Sequence, residues 1–354
     1  LLVSRIVVLY PLTVAQSSAS DNKLMPQNEA VLVTGGAGYI GSHVILALQE
    51  AGRQIVVVDN LSTGRRAAVP VKIPFIRGDI GDQALITSVL QAHHVGAVMH
   101  FAGSIVVPES VTQPLAYYHN NTAGSLALID ACRQAAVERF VFSSTAAVYG
   151  VPEVLPVDED APTRPINPYG TSKLMTEWIL RDAAAAHGLR SVTLRYFNVS
   201  GADPGGRAGQ ATRNPTHLLE VASQVATGRR PEIAIYGDDY PTPDGTCIRD
   251  YIHVSDLAAA HVAALDYLES GGESRILNCG YGRGYSVRDV LAAMEHAAGR
   301  RLNTRIAPRR PGDPAALVAK VDRIRIVLDW TPRYNDLDTI VSTALAWERR
   351  RSIL

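Results

Sequence analysis

The stretch VLVTGGAGYIGSH, residues 31–43, decides how this chain is read. It opens on an apolar run, Ala30 to Thr34, rich in β-branched residues and stopped by glycine. That pattern is a short, fully buried strand. Gly35, Gly38 and Gly41 follow in a GxxGxxG spacing, and a helix is predicted from about Gly41 to Glu50. Gly35 allows the tight turn out of the strand. Gly38 lets the backbone approach a pyrophosphate, and Gly41 lets the helix pack closely on the sheet. An anion over such a helix start meets free N–H groups and the positive end of the helix dipole. A second strand spans Gln54 to Val58 and is followed by Asp59, about 18 residues after Gly41. That is close to the separation at which a carboxylate accepts hydrogen bonds from the adenosine ribose. Its charge repels a 2′-phosphate, so the motif predicts NAD rather than NADP.

Further along, apolar runs at Val95 to Phe101, Phe140 to Phe142 and Ser191 to Tyr196 alternate with helical stretches such as Gly124 to Ala136 and Ser172 to His187. Fully apolar short strands alternating with helices imply a parallel sheet covered on both faces. The predicted class is α/β, a Rossmann-like doubly wound parallel sheet. After about Asn198, glycine and proline become frequent, as in Tyr240 to Gly245, which reads as a smaller α/β substrate-binding lobe. The predicted division is an NAD-binding domain over 28–198 plus about 251–278, and the second lobe over about 199–250 plus 279–354. The first residues, LLVSRIVVLYPLTVAQSSAS, loosely resemble a signal peptide. They are short and interrupted by Pro11, and Met25 stands just before the first strand. Residues 1–27 are therefore read as a disordered or upstream extension.

Composition narrows the function classes. The chain has 354 residues, with Lys+Arg 34 against Asp+Glu 34 and a formal net charge of +0. That balance argues against a general nucleic-acid binder. Hydrophobic residues at 47% and charged residues at 19% supply a core and exclude global disorder. The 3 cysteines, Cys132, Cys247 and Cys279, are far apart, which argues against a disulfide framework or a cysteine-rich metal site and fits a reducing compartment. No metal site and no membrane partner is predicted.

Two groups of candidate residues remain. Asp79 and Ile80 follow the third strand. A carboxylate there either contacts the adenine amino group, with Ile80 against the ring, or caps the next helix. Phe101, Ala102 and Gly103 end the fourth strand, where small residues let a cofactor lie close. Tyr169 and Lys173 form a YxxxK pair on one helical face. An ammonium near a phenol lowers its pKa from about 10, which makes the tyrosine a usable base. Ser143, Ser144 and Thr145 lie at the end of a strand about 24 residues upstream, placed to share a substrate proton.

With these motifs the chain resembles the UDP-glucose 4-epimerase (UDP-galactose 4-epimerase) family of the extended short-chain dehydrogenase/reductase superfamily. The resemblance runs from about Ala30 to the C-terminus. Besides the glycine loop it is carried by HFAG (100–103) with Glu109 and Ser110, FSSTAAVYG (142–150), NPYGTSK (167–173), LRYFNVSGA (194–202), APRRPGD (307–313) and, most diagnostic, GDDYPTPDGTCIRDYIHV (237–254). It implies an isomerase that uses NAD, acts on UDP-glucose and UDP-galactose, and works as a cytoplasmic homodimer. It implies cofactor contacts from Tyr39, Ile40, Asp59, Asn60, Leu61, Ser62, Thr63, Gly64, Asp79, Ile80, Phe101, Ala102, Gly103, Asn120 and Phe197. Thr145, Tyr169 and Lys173 match the hydroxyl, base and lysine of the reaction. Asn198, His217 and Leu218 match substrate contacts, Tyr236 an aromatic beside the uracil, Arg249 and Arg310 the diphosphate arginines, and Asp313 a ribose contact. Arg249 has a second reading on local grounds, a structural ion pair with Asp250.

Two departures from the family pattern stand out. Ile105 replaces a lysine common in the family, so any polar contact from it is missing. Leu317 occupies the position gating the sugar pocket, where bulky aromatics restrict N-acetylated sugars and small residues admit them. A dehydratase on this scaffold would carry an Asp-Glu pair after the reactive threonine, whereas Ala146 and Ala147 follow Thr145 here. A silent NAD-binding regulator would not need Tyr169, Lys173 and Thr145 together. Another UDP-sugar 4-epimerase, for N-acetylhexosamines or pentoses, remains the alternative.

Overall fold

The computed structural model describes residues 29–212, 215–310 and 312–351. The predicted extension over 1–27 lies outside them. The strands are β1 (Ala30–Thr34), β2 (Gln54–Asp59), β3 (Phe75–Arg77), β4 (Val95–His100), β5 (Arg139–Thr145), β6 (Arg190–Tyr196), β7 (Asn198–Ser200), β8 (Ile233–Tyr236), β9 (Ile248–His253), β10 (Arg275–Cys279), β11 (Gly284–Ser286), β12 (Thr304–Ala307) and β13 (Ala316–Leu317). The helices are α1 (Tyr39–Glu50), α2 (Gln83–Ala92), α3 (Val107–Thr112), α4 (Pro114–Tyr117), α5 (Gly124–Gln134), α6 (Pro168–His187), α7 (Leu218–Ala226), α8 (Val254–Glu269), α9 (Val287–Ala298), α10 (Asp322–Leu328) and α11 (Leu337–Arg351).

The order β10-β6-β5-β4-β1-β2-β3 forms a parallel seven-stranded sheet. Successive side chains of a strand point to opposite faces, and here both faces are apolar. Val31, Val33, Val57, Met99 and Val141 pack with Val44, Ile45 and Leu48 of α1 and with Leu257 and Leu265 of α8. Their neighbours Leu32, Val56, Val58, Phe140 and Phe142 pack with Ile86 and Leu90 of α2, Leu128 of α5 and Leu180 of α6. Removing one large member, as in Phe140→Ala, costs about 3–5 kcal/mol. The strand order reverses between β1 and β4, so a crevice opens at the C-terminal ends of those strands, the usual ligand position in such sheets.

The second lobe is smaller. β9 is its axis, pairing parallel with β7 and β13 and antiparallel with β11, while β8 and β12 form a separate parallel pair. α7, α9 and α11 bury Leu219, Val221, Met294, Ile340 and Leu345 in a core of their own. Two stretches fall across the predicted boundaries. Tyr251 to His253 pair with β7 in the small sheet, and α10 packs on α8 and β10 because Ile324 and Leu328 belong to the large core. Among the described residues no helix is long and apolar enough to cross a membrane.

Candidate active site

The glycine loop leaves β1 through Gly35 at φ +69°, where an added Cβ would stand 2.6 Å from the Ala102 nitrogen. The loop therefore lies flush on the end of β4, as only glycine permits. The helix starts two residues earlier than predicted, at Tyr39. Its N-cap, Gly38, makes no side-chain cap, and the first turn carries no acidic residue. A Cβ on Gly38 would meet nothing nearer than the Gly35 carbonyl at 3.2 Å. The helix start is thus an uncapped cradle of N–H donors lining the cavity, which fits a pyrophosphate.

Asp59 follows at the end of β2. Its carboxylate accepts from the Ala37 and Leu61 backbone nitrogens at 2.9 and 2.8 Å. Lone pairs remain on both oxygens for ribose hydroxyls. Asp79 is not a helix cap: that position belongs to Asp82, which accepts from Leu85 N. Asp79 instead accepts from Gly81 N and from the Asn60 amide, both at 2.9 Å, beside the cavity. The residues so held fit NAD without a further donor set.

The helix carrying Tyr169 also begins earlier than predicted. Asn167 caps it by accepting from Gly170 N at 2.9 Å, and Pro168 occupies the first turn, both favoured there. A Cβ on Gly170 would sit 2.6 Å from the Ala147 carbonyl, so glycine lets α6 close on the turn after β5. This brings Tyr169 to Thr145. Burial raises the Tyr169 phenol above its usual value, and the side-chain hydrogen bond with Thr145 pulls it back. Thr145 also accepts from Ala147 N at 3.1 Å.

Lys173 departs from the simplest expectation. Its Nζ donates to the Ser143 carbonyl at 3.1 Å and lies 5.1 Å from the Phe142 ring centroid. Burial lowers its ammonium to about 8. It stands behind the Thr145–Tyr169 pair, beside Gly103, and is not among the residues that line the cavity. Next to it, Glu177 accepts from Ser144 Oγ at 2.5 Å and pairs with Arg195 at 2.5 Å, both residues being buried. Arg195 donates on to the Tyr149 hydroxyl at 3.0 Å, and Tyr149 to Asn278 at 2.7 Å. This network ties β5, β6, β10 and α6 together directly behind Thr145 and Tyr169.

One cavity of about 1440 Å³ runs from the glycine loop across Thr145 and Tyr169 into the second lobe. Apart from Lys173, Leu61 and Ser144, whose hydroxyl is turned inward to Glu177, every residue proposed from the sequence lines it, including Ile40, Asn120, Phe197, Asn198, His217, Leu218, Tyr236, Arg249, Arg310, Asp313 and Leu317. Leu61 turns its side chain to the large core. Arg249 pairs with Asp313, not with Asp250. Asp250 accepts from the backbone of Tyr281, Gly282 and Ala319, and burial still raises its carboxyl to about 6. The Arg310 guanidinium stacks 4.0 Å from the centre of the Tyr236 ring. His217 is exposed on the cavity side, and desolvation within the cleft together with the Arg310 charge lowers its pKa. Ile105 stands in the cavity wall, half exposed, where it offers apolar surface only.

Sequence reasoning missed several lining or supporting residues. Asn121 accepts from Ser104 N at 2.7 Å and donates to Ser172 at 3.0 Å, fixing the turn after β4 to α6. It sits in a π-helical turn, Tyr118–Ala123, that a 3.6-residue period does not reveal. Tyr196 bonds Ser143 in the cavity floor, and Gln210 lies in a loop with no periodic signal.

Known proteins match the chain over most of its length. Residues 31–280 match the NAD dependent epimerase/dehydratase family. The chain is 64% identical over 319 residues to a UDP-glucose 4-epimerase of Azospirillum brasilense, covering 90% of this chain and 92% of that one. It superposes on the UDP-glucose 4-epimerase of Brucella ovis in complex with NAD at a TM-score of 0.87 and 47% identity, over 90% of this chain and 98% of that one. The corresponding enzyme of Bifidobacterium longum in complex with NAD⁺ and UDP gives a TM-score of 0.87 at 40% identity, over 91% and 99%.

Proposed function

The chain belongs to the NAD dependent epimerase/dehydratase family, and from that premise we propose that it is an isomerase interconverting UDP-glucose and UDP-galactose. The observation that carries the reading is the single cavity in which the glycine loop, the Thr145–Tyr169 pair and the arginines Arg249 and Arg310 meet. A hydride-transfer enzyme for a small alcohol would need the first two, whereas a diphosphate anchor in the second lobe calls for the third.

Tyr169, as phenolate, takes the proton from the sugar 4-hydroxyl, and Thr145 hydrogen-bonds the same oxygen. When bound, NAD⁺ supplies the acceptor and then the donor of the C4 hydride, and a positive ring in the cavity that favours the phenolate. Tyr169 also sits in the first turn of α6, where the helix dipole favours negative charge. Arg249 and Arg310 offer planar forks to the diphosphate, so UDP stays anchored while the 4-keto sugar turns over. Tyr169 returns its proton to the opposite epimer. No net oxidation occurs. The methyl of Ala147 in the cavity wall does no acid–base work, which fits epimerisation rather than dehydration.

Assembly and location are part of the proposal. Val111, Leu115, Leu126 and Trp178 are large exposed apolar side chains on α3, α4, α5 and α6, which pack on one another. A second copy covering that face gives a homodimer. The three cysteines are buried free thiols, as a cytoplasmic protein would keep them. The functional test is to incubate the purified protein with UDP-galactose and no added nucleotide. UDP-glucose should accumulate to an equilibrium mixture, and denaturing the protein should release NAD rather than NADP. Absence of UDP-glucose would refute the reading.

A further inference from the structure

No residue of α11 lines the cavity, yet the helix ends against the loop that precedes α7. The indole Nε1 of Trp347 donates to the Gln210 carbonyl at 2.8 Å, and Arg351 Nη1 approaches the same oxygen at 3.4 Å. The indole lies so close on Gly209 that a Cβ there would stand 2.4 Å from ring atoms. Glu220, in the first turn of α7, accepts from Thr212 N at 3.1 Å and from Arg351 at 3.3 Å. Gly209, Gln210 and Thr212 all line the cavity. Gly209 bridges Ala202, but Gln210 and Thr212 belong to neither helix nor strand, so side chains satisfy their backbone groups.

The contacts continue to the substrate side. The Gln210 amide nitrogen lies 2.8 Å from His217 Nδ1. With the amide donating, Nδ1 is an acceptor and the ring proton sits on Nε2, so a neutral His217 still presents a donor. His217 is the N-cap of α7, and its own side chain caps no N–H of that helix.

Resting on the assignment of the nucleotide sugar to this cavity, we propose that Gln210 is a further substrate-binding residue and that Trp347, backed by Arg351, is the positioning residue that holds it and His217 ready for the UDP diphosphate. The physical gain is preorganisation. A loop fixed by α11 before the ligand arrives does not have to be ordered at each binding event. The effect therefore falls on ligand affinity and leaves the chemistry at Tyr169 untouched.

The test is calorimetric titration of UDP into the NAD-loaded protein, alongside steady-state kinetics on UDP-galactose. Trp347→Phe keeps a ring against Gly209 and deletes one N–H. It should weaken UDP roughly three- to tenfold, the factor for one lost hydrogen bond. KM should rise by a similar factor while kcat and NAD content hold. Gln210→Ala should weaken UDP comparably, and the double variant should be little worse than either single change, because both act through one residue. Arg351→Met, which leaves the indole in place, should give a smaller loss in the same direction. UDP affinity unchanged in Trp347→Phe, even with a lowered Tm, overturns the proposal, as does full additivity of the Trp347 and Gln210 changes. Failure of UDP to bind the unaltered protein overturns the site assignment and the positioning role with it.

Discussion

The two ends of the cavity are built on opposite principles. At the hydroxyl end, Thr145, Tyr169 and Lys173 are backed by the buried Ser144–Glu177–Arg195–Tyr149 network, in which each member already has its partner. At the arginine end, Arg310 rests on the Tyr236 face and Arg249 on a half-buried Asp313, both at the cavity surface. Proton transfer needs fixed geometry, so its scaffold is locked from within. An anchor must take hold of a charged ligand from water, so Arg310 stays partly exposed on the cavity wall, while Arg249 is buried against Asp313 and meets a ligand only through the cavity. The comparison predicts that changes at the first end strike rate and stability, and changes at the second strike affinity.

The largest effect is expected for Tyr169→Phe. Loss of the base should lower kcat by about 10²–10⁴-fold, the usual worth of a positioned general base, with bound NAD unchanged. Near-normal turnover would break the assignment. Arg195→Met tests the scaffold. It strands Glu177 in the interior and should cost about 3–5 kcal/mol in denaturant unfolding. Arg310→Met should stay within about 0.5 kcal/mol of the parent in the same experiment and lose UDP affinity instead. Equal destabilisation by both would erase the contrast between the two ends.

Leu317 joins the ends. It is packed with Tyr149, Val157, Leu174 and Phe197 and also faces the cavity. Leu317→Ala should therefore lower stability by about 2–5 kcal/mol. It should also shift the activity ratio toward UDP-N-acetylgalactosamine by roughly tenfold, within the 1–3 kcal/mol that a few methylenes discriminate. A lower Tm with an unchanged ratio would show that Leu317 only packs.

The smallest effect concerns Lys173. Burial holds its folded-state value at about 8, below the 10.5 of a free lysine. The folded protein therefore binds fewer protons than the unfolded chain between those values, and stability from this group rises with pH across that window. Below pH 8 the full burial cost is present. Lys173→Met should remove this rise, so the Tm difference between parent and variant should change between pH 8 and 10.5 and be flat below it. A constant difference would mean that Lys173 is not depressed.

The glycine loop, Asp59 and the YxxxK pair were legible in the sequence because each is a local spacing on one element. The parallel sheet covered on both faces followed from strand–helix alternation, whereas its strand order did not, and the first turns at Tyr39 and Pro168 fall outside the apolar periodicity that marks the rest of each helix. What was not legible depends on distant elements. Arg249 finds Asp313, 64 positions away, and not its neighbour Asp250 because adjacent strand residues point to opposite faces. Asn121, Gln210 and Trp347 take their roles from a π turn, an irregular loop and the far end of the chain, none of which leaves a period to read.

If cofactor and nucleotide sugar share one cavity, the hydride that leaves C4 returns to the same carbon. UDP-galactose carrying deuterium at C4 tests it directly. The UDP-glucose formed should keep its deuterium at C4 in ordinary water, with no added nucleotide. Loss of the label to solvent, or its appearance in free NADH, would contradict the account.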